Sequence, residues 1–245
     1  MNQAMNYTEI FEMRGGSYDK AMSNYPDARD DEFNLVVNIL KNLDVEKILD
    51  LPSGGGYLKK YLPKQMNYCG FEPSTGFINN KVTDFDKYNV EKLPYDKDEF
   101  DALVSIAGVH HIKDKIELFN EWFRVLKKGG YIIVVDVDKD STVASFLDDF
   151  VGSYNVTGHS GIYLTGNSEE LLTSCGFKNV TSRIEKFSWN FKGLDDMCEF
   201  CRQLFSLENI TDKEIIENTK KHLGFEKVEG FIRMNWELRV LLGIK

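Results

Sequence analysis

The side chains best suited to chemistry fall at the ends of short apolar runs. Ile48-Leu49 ends on Asp50, and Leu51-Pro52-Ser53-Gly54-Gly55-Gly56 follows before a helical pattern begins at Tyr57. Tyr68-Cys69-Gly70-Phe71 ends on Glu72, and Asn89-Val90 closes a third run. A carboxylate directly before a glycine turn faces a pyrophosphate unfavourably and suits a cationic group. A carboxylate about 20 residues further on can accept both hydroxyls of a ribose. The amide and backbone of Asn89-Val90 could read the edge of a base. Three successive strand ends thus offer groups for an amine-bearing tail, a ribose and a base, and none uses a phosphate clamp. His110-His111 follow a fourth apolar run, and histidine titrates near neutrality.

The elements that must position these groups alternate between strand and helix. Val45 to Leu51, Tyr68 to Phe71, a segment near Lys87 to Val90, Phe100 to Ile106 and Tyr131 to Val137 read as strands. Between them, Tyr57 to Leu62, a short stretch around Gly76 to Lys81, and Lys113 to Lys127 read as helices. In the last of these Ile116, Phe119, Phe123 and Leu126 face inward, and Gly129-Gly130 closes it. Phe33, Val36, Val37 and Leu40 give an earlier helix one apolar face, with Asp30 or Asp31 as its cap. Ser141 to Tyr154 is expected to be helical, Asn155 to Gly166 a loop, and Glu169 to Cys175 a helix capped by Ser168. Lys178 to Phe191 and Gly230 to Ile244 are long strands around two helical stretches, Leu194 to Leu207 and Asp212 to Leu223. This alternation argues one α/β domain over 1–245 with a doubly wound, mostly parallel sheet. Residues 1–30 read as an N-terminal arm with a short helix around Tyr18 to Ser23, 45–137 as the ligand-binding core, and 193–229 as a helical insertion.

Composition limits the function classes. The chain has 245 residues, a formal net charge of −9, and apolar and aromatic fractions of 42% and 13%, enough for a substantial core. No Lys/Arg cluster marks a nucleic-acid surface, and no apolar run approaches the roughly 20 residues of a membrane span. The start, Met1 to Asn6, lacks the charged and apolar regions of a secretory leader. With four cysteines this suggests a reducing cytoplasm. Cys198-Glu199-Phe200-Cys201 has redox or zinc spacing. It lies in an apolar helical pattern with Leu194, Met197, Leu204 and Phe205, so buried helical cysteines are the better reading. Met197, Phe200, Phe205 and Trp236 serve either as core or as the lining of a pocket. Asp136-Val137-Asp138 and Asp148-Asp149 have no further acid at a convincing spacing, and no metal is expected. Oligomeric state is not readable.

A dinucleotide-binding turn would require G-x-G-x-x-G. Gly54 and Gly56 fit, but Lys59 stands at the third glycine and Asp50 precedes the turn, which disfavours NAD. Taken jointly, the segments Asp50 to Gly56, Glu72, Asn89 to Tyr95 with Glu99-Phe100-Asp101, Val109 to Ile112 and Arg124 to Gly130 resemble the class I S-adenosylmethionine-dependent methyltransferases. Pro52 replaces the usual first glycine, and Asn89 an aspartate.

The resemblance implies a Rossmann-like, seven-stranded sheet whose last strand is antiparallel and hairpinned with the sixth. It implies S-adenosylmethionine as cofactor, contacted by Tyr18, Asp50, Pro52, Ser53, Gly54, Gly56, Glu72, Asn89, Val90 and Ile106. The expected reaction is methyl transfer to an oxygen or nitrogen of a small molecule. His110 or His111 is the candidate general base, and His159, beside Tyr163, a second candidate. Tyr18 and Tyr25 could close over the sulfonium by cation–π contact, with Arg14 or Arg29 also facing ligand. The arm and the 193–229 insertion would cover the substrate. The competing reading is an S-adenosylmethionine-binding protein that does not methylate and has a regulatory role.

Overall fold

A computed structural model describes residues 5–77 and 88–245. Its sheet contains β1 (Lys47–Asp50), β2 (Asn67–Gly70), β3 (Phe100–Ile106), β4 (Leu126–Asp136), β5 (Lys178–Phe191), β6 (Phe225–Val228) and β7 (Phe231–Ile244). The order is β2-β1-β3-β4-β7-β5, with β6 also paired to β7, making seven strands. The first four run parallel. β7 is antiparallel to β4, β5 and β6.

Strand alternation explains the two layers. Successive side chains point to opposite faces. Ile48, Ala102, Val104, Ile133 and Val135 enter one core, while Leu49, Leu103, Ile132 and Val134 enter the other. The central strands are buried on both faces, which is why they read as continuous apolar runs. One core takes Val36, Val37 and Leu40 of α2 (Asp30–Leu40); the other takes Leu118, Phe119, Trp122 and Val125 of α3 (Lys115–Val125).

Several boundaries differ from expectation. The N-terminal arm is one long helix, α1 (Tyr7–Asn24), not a short one at Tyr18 to Ser23. Asn6 caps it and Glu9 reaches back, a reciprocal capping box. Two glycines let α1 dock on the loop after β2. A Cβ on Gly15 would lie 2.5 Å from the carbonyl carbon of Gly76, and one on Gly76 would lie 1.9 Å from the Phe11 oxygen. Only glycine permits that backbone approach. α2 is capped at Arg29 without a side-chain bond; Asp30 and Asp31 lie in its first turn, where negative charge suits the helix dipole. The stretch after the glycine turn, Tyr57–Tyr61, is a 3-10 helix.

α3 stops at Val125 because Leu126 already pairs with Phe100. Gly129-Gly130 therefore lie within β4, and Ile116, expected inside, is 54% exposed. Asn89 pairs with Lys92 in an isolated bridge, so the described residues 88–90 add no strand to the sheet. Beyond Phe77, the helix expected to reach Lys81 lies outside the described residues, as does Lys87.

The 141–154 helix is composite: α4 (Thr142–Ser145), a π-helical stretch Phe146–Val151, and α5 (Gly152–Tyr154). α6 (Ser168–Ser174) precedes β5. The 193–229 segment holds α7 (Leu194–Leu204) and α8 (Asp212–His222) but ends in a strand. The partner hairpinned directly to β7 is thus β6, through Glu229-Gly230, both at positive φ.

Candidate active site

The C-terminal ends of β1, β3 and β4 open into two adjoining cavities. Phe11, Tyr18, Arg29 and Ala107 belong to both.

The first cavity collects Tyr18, Asp50, Pro52, Ser53, Gly54 and Ile106. Asp50 ends β1 and is 3% exposed. Its carboxylate accepts one hydrogen bond, from the Tyr68 hydroxyl at 2.8 Å. Burial pushes its pKa up to about 7, and that single hydroxyl only partly opposes the shift. Glu72, also 3% exposed, accepts from the backbone N–H of Gly54 (2.8 Å) and Ser74 (2.9 Å) and from the Tyr7 hydroxyl (2.9 Å). Burial nonetheless raises it to about 7. Gly54 sits at φ +53, so a left-handed turn aims its N–H at Glu72. The Leu51–Pro52 peptide is cis, and the Pro52 ring lies where a Cβ on Gly108 would come within 2.5 Å of it.

These groups fit an aminoacyl nucleoside. Asp50 is a buried carboxylate short of donors, which an ammonium group would supply. Glu72 offers its remaining acceptor capacity to ribose hydroxyls, and taking both would displace the Tyr7 hydroxyl. Of the other expected contacts, Gly56 faces a separate cleft with Asp19 and Tyr57. Asn89 and Val90 line a third cleft with Tyr7, His110 and His111 rather than the cavity beside Asp50.

The second cavity is built around histidines. His110 Nδ1 lies 2.6 Å from Asp136 Oδ1 at the end of β4. Asp136 is fully buried and also accepts from the backbone N–H of Val109 (2.7 Å), His110 (3.3 Å) and Val137 (2.6 Å). Burial works to raise its pKa, but the His110 imidazole, the Val137 N–H and the charge of Lys115 hold it below the usual carboxylate range. An ionised Asp136 requires the hydrogen of His110 on Nδ1, which leaves the Nε2 lone pair for a substrate.

His159 is oriented the same way. Its Nδ1 lies 2.9 Å from Asp148 Oδ1, on the π-helical stretch; that carboxylate also accepts from the Tyr163 hydroxyl and the Gly161 N–H. Burial lowers the pKa of both His159 and His111, and neighbouring positive groups lower His111 further. The Ile162 N–H donates to the His110 carbonyl, tying the 155–166 loop to the histidine segment.

Ligand atoms of His110, His111 and His159 lie within 4.8 Å of one another, the one such grouping among the described residues. Three imidazoles, two of them backed by carboxylates, could hold a metal. The Arg14 guanidinium acts on His111 and His159 as a positive charge, which opposes a cation there.

Phe205 and Trp236 line this cavity, whereas Met197 and Phe200 are core. Tyr7, Phe11 and Trp189 were not expected at the site. The Asn6–Glu9 capping box is the signal that would have extended α1 back to Tyr7 and Phe11. Trp189 gives no local sign, because an inward residue of a long strand reads as core. Cys198 and Cys201 are buried, free and shifted upward in pKa by burial, as expected of packing residues.

Residues 49–134 match a family described as Methyltransferase domain. A ubiquinone/menaquinone biosynthesis C-methyltransferase of Wigglesworthia glossinidia brevipalpis is 31% identical over 110 residues, covering 38% of this chain and 44% of that protein. A phosphoethanolamine N-methyltransferase of Plasmodium falciparum is 22% identical over 209 residues, covering 79% and 72%. The chain spans less than half the length of the first curated relatives it matches. A solved structure from Thermotoga maritima, described as a SAM-dependent methyltransferase and possible histamine N-methyltransferase, superposes with a TM-score of 0.63. It does so at 19% identity, over 98% of this chain and 99% of that one.

S-adenosylmethionine is the cofactor that the domain and its fold imply. Residues 49–134 match the methyltransferase-domain family and are set in a Rossmann-like sheet of the kind seen in that solved SAM-dependent methyltransferase.

Proposed function

We propose that the protein transfers a methyl group from S-adenosylmethionine to an oxygen or nitrogen of a small molecule, with His110 as general base. The observation that carries this is the Asp136–His110 pair: a buried, ionised carboxylate 2.6 Å from Nδ1, on a ring that lines the cavity adjoining Asp50. The cofactor supplies a sulfonium methyl with a good leaving group. Asp50 and Glu72 hold its polar ends, Tyr18 and Ala107 line both cavities, and Ile106 lines the first. Asp136 fixes the His110 ring and tautomer, and Nε2 takes the proton of the acceptor hydroxyl or amine. Burial keeps His111 neutral, so it can assist without adding charge.

We read α1 and the 193–229 segment as the cover that excludes water. The Ser17 hydroxyl donates to the Gln203 carbonyl, and the Asn24 amide donates to the Gln203 side chain, joining arm to insertion. In this reading the partner is a small molecule rather than a nucleic acid or a membrane. No described helix is long and apolar enough to cross a membrane. Four unpaired cysteines suit a reducing cytoplasm.

The test is purified protein incubated with methyl-labelled S-adenosylmethionine and fractionated small metabolites. Label should enter a small product, and His110→Ala should lower the rate about 10²- to 10⁴-fold with S-adenosylhomocysteine affinity unchanged. Binding without any labelled product would point instead to a non-methylating protein.

A further inference from the structure

We propose that the methyl acceptor is an aromatic or similarly apolar molecule bearing a carboxylate, and that the buried guanidinium of Arg14 receives that group. The word acceptor rests on the methyl-transfer reading; the anion site does not. Arg14 lies midway along α1, is 4% exposed, and lines the histidine cavity. Its Nε and Nη1 are buried without a hydrogen-bond partner among the described residues. Its neighbour is the Phe11 ring, 5.6 Å from the guanidinium carbon. Burial lowers its pKa to about 10, which still leaves it charged at neutrality.

The contrast with Arg29 in the same cavity is direct. Arg29 is equally buried, but its Nη2 meets Glu32 at 2.5 Å, so that charge is balanced. No carboxylate lines this cavity among the described residues. The acids bonded to its lining residues are already engaged: Asp136 and Asp148 on Nδ1 of His110 and His159, and Glu32 on Arg29 and the Trp189 N–H. A buried guanidinium with no counter-charge and unmade hydrogen bonds is strongly unfavourable unless a ligand meets it.

The rest of the cavity indicates what carries the anion. Trp189 and Trp236 stack at 3.9 Å, and with Leu147, Leu204, Phe205 and Leu238 they form an apolar wall. A single guanidinium balances a monoanion, and the tryptophan faces suit a flat, apolar body. The methionine tail of the cofactor carries the same carboxylate chemistry. Arg14 lines the histidine cavity and not the one with Asp50, which favours the acceptor as source.

The test uses the whole protein as wild type, Arg14→Met and Arg14→Lys. Melting temperatures are recorded alone and with benzoate or benzamide, and affinities are measured for S-adenosylhomocysteine and for 5′-methylthioadenosine, which lacks the amino-acid tail. Benzoate should stabilise the wild type more than its uncharged isostere does. That preference should vanish in Arg14→Met and persist in part in Arg14→Lys. Ligand-free Arg14→Met should melt higher than wild type, because an unpaired buried charge is gone. Its affinity for S-adenosylhomocysteine should stay within about twofold.

The proposal is overturned if benzamide matches benzoate, if neither shifts the wild type, or if ligand-free Arg14→Met melts lower. It is also overturned if Arg14→Met loses S-adenosylhomocysteine binding while 5′-methylthioadenosine is unaffected, since the guanidinium then belongs to the cofactor tail. If the wild type bound no S-adenosylhomocysteine, the methyl-transfer reading would fail while the benzoate contrast remained decisive for the anion site.

Discussion

Asp136 and Asp50 sit at the ends of strands in the same sheet, at 0% and 3% exposure, yet burial leaves them in opposite states. Asp136 accepts three backbone N–H groups and an imidazole and is held below the usual carboxylate range. Asp50 accepts one hydroxyl and is pushed up to about 7, and Glu72 shares that value despite three donors. Desolvation is common to all three, so the donors and charges set against it decide the difference. Asp136 is a finished internal support, whereas in the proposed reading Asp50 and Glu72 are completed by the cofactor.

Substitution should separate the two regions. Asp136→Ala should destabilise the protein by about 3–5 kcal/mol in urea unfolding, because it strands buried N–H groups and breaks a buried pair. Asp136→Asn should fold better but lower the methylation rate at least about 10²-fold, because it no longer fixes the His110 tautomer. Asp50→Asn and Glu72→Gln should weaken S-adenosylhomocysteine about 10- to 100-fold by calorimetry, the loss of one charge-assisted hydrogen bond. Ligand-free, Asp50→Asn, which faces only the Tyr68 hydroxyl, should be no less stable than wild type at pH 8, opposite in sign to Asp136→Ala. Equal destabilisation at both places would erase the distinction. Gly15→Ala should cost about 1–3 kcal/mol by overpacking α1 against the Gly76 backbone.

The smallest effect is on pH dependence. The folded pKa of Asp50 and Glu72, about 7, lies above the ordinary 3.8 and 4.5. The folded, ligand-free protein therefore keeps protons that the unfolded chain has lost. The contribution of these groups to stability is greatest near pH 4 and declines as pH rises to about 7. Cofactor binding favours the ionised forms, so affinity should fall below pH 7 by up to about tenfold per unit for each proton that must leave. A flat affinity profile between pH 5.5 and 8 would remove the contrast with Asp136.

The site was legible where a strand end and a chemical residue coincide. Asp50 and His110, which line the two cavities, are legible because a polar residue at or just past the end of a buried run is a local pattern. The bounds of Phe100–Ile106 and Lys178–Phe191 agree with expectation, because strand-forming residues there are flanked by polar or turn residues. What escaped depends on distance. Leu126 leaves α3 for β4 because of pairing with Phe100, which no helical spacing reveals. Asn89 bridges to Lys92 although its neighbourhood resembles a strand. Arg14 is legible as one of several arm residues that could face ligand; its burial without a hydrogen-bond partner among the described residues follows only from the docking of α1 through Gly15 and Gly76.

The most direct test of the contrast between finished and cofactor-completed carboxylates is proton release on binding. S-adenosylhomocysteine is titrated calorimetrically at pH 7 in two buffers of different ionisation enthalpy, with wild type and Glu72→Gln. The wild type should release protons on binding, and Glu72→Gln should release fewer. Binding with no net proton exchange in the wild type, or unchanged release in Glu72→Gln, would contradict the placement of the cofactor on these carboxylates.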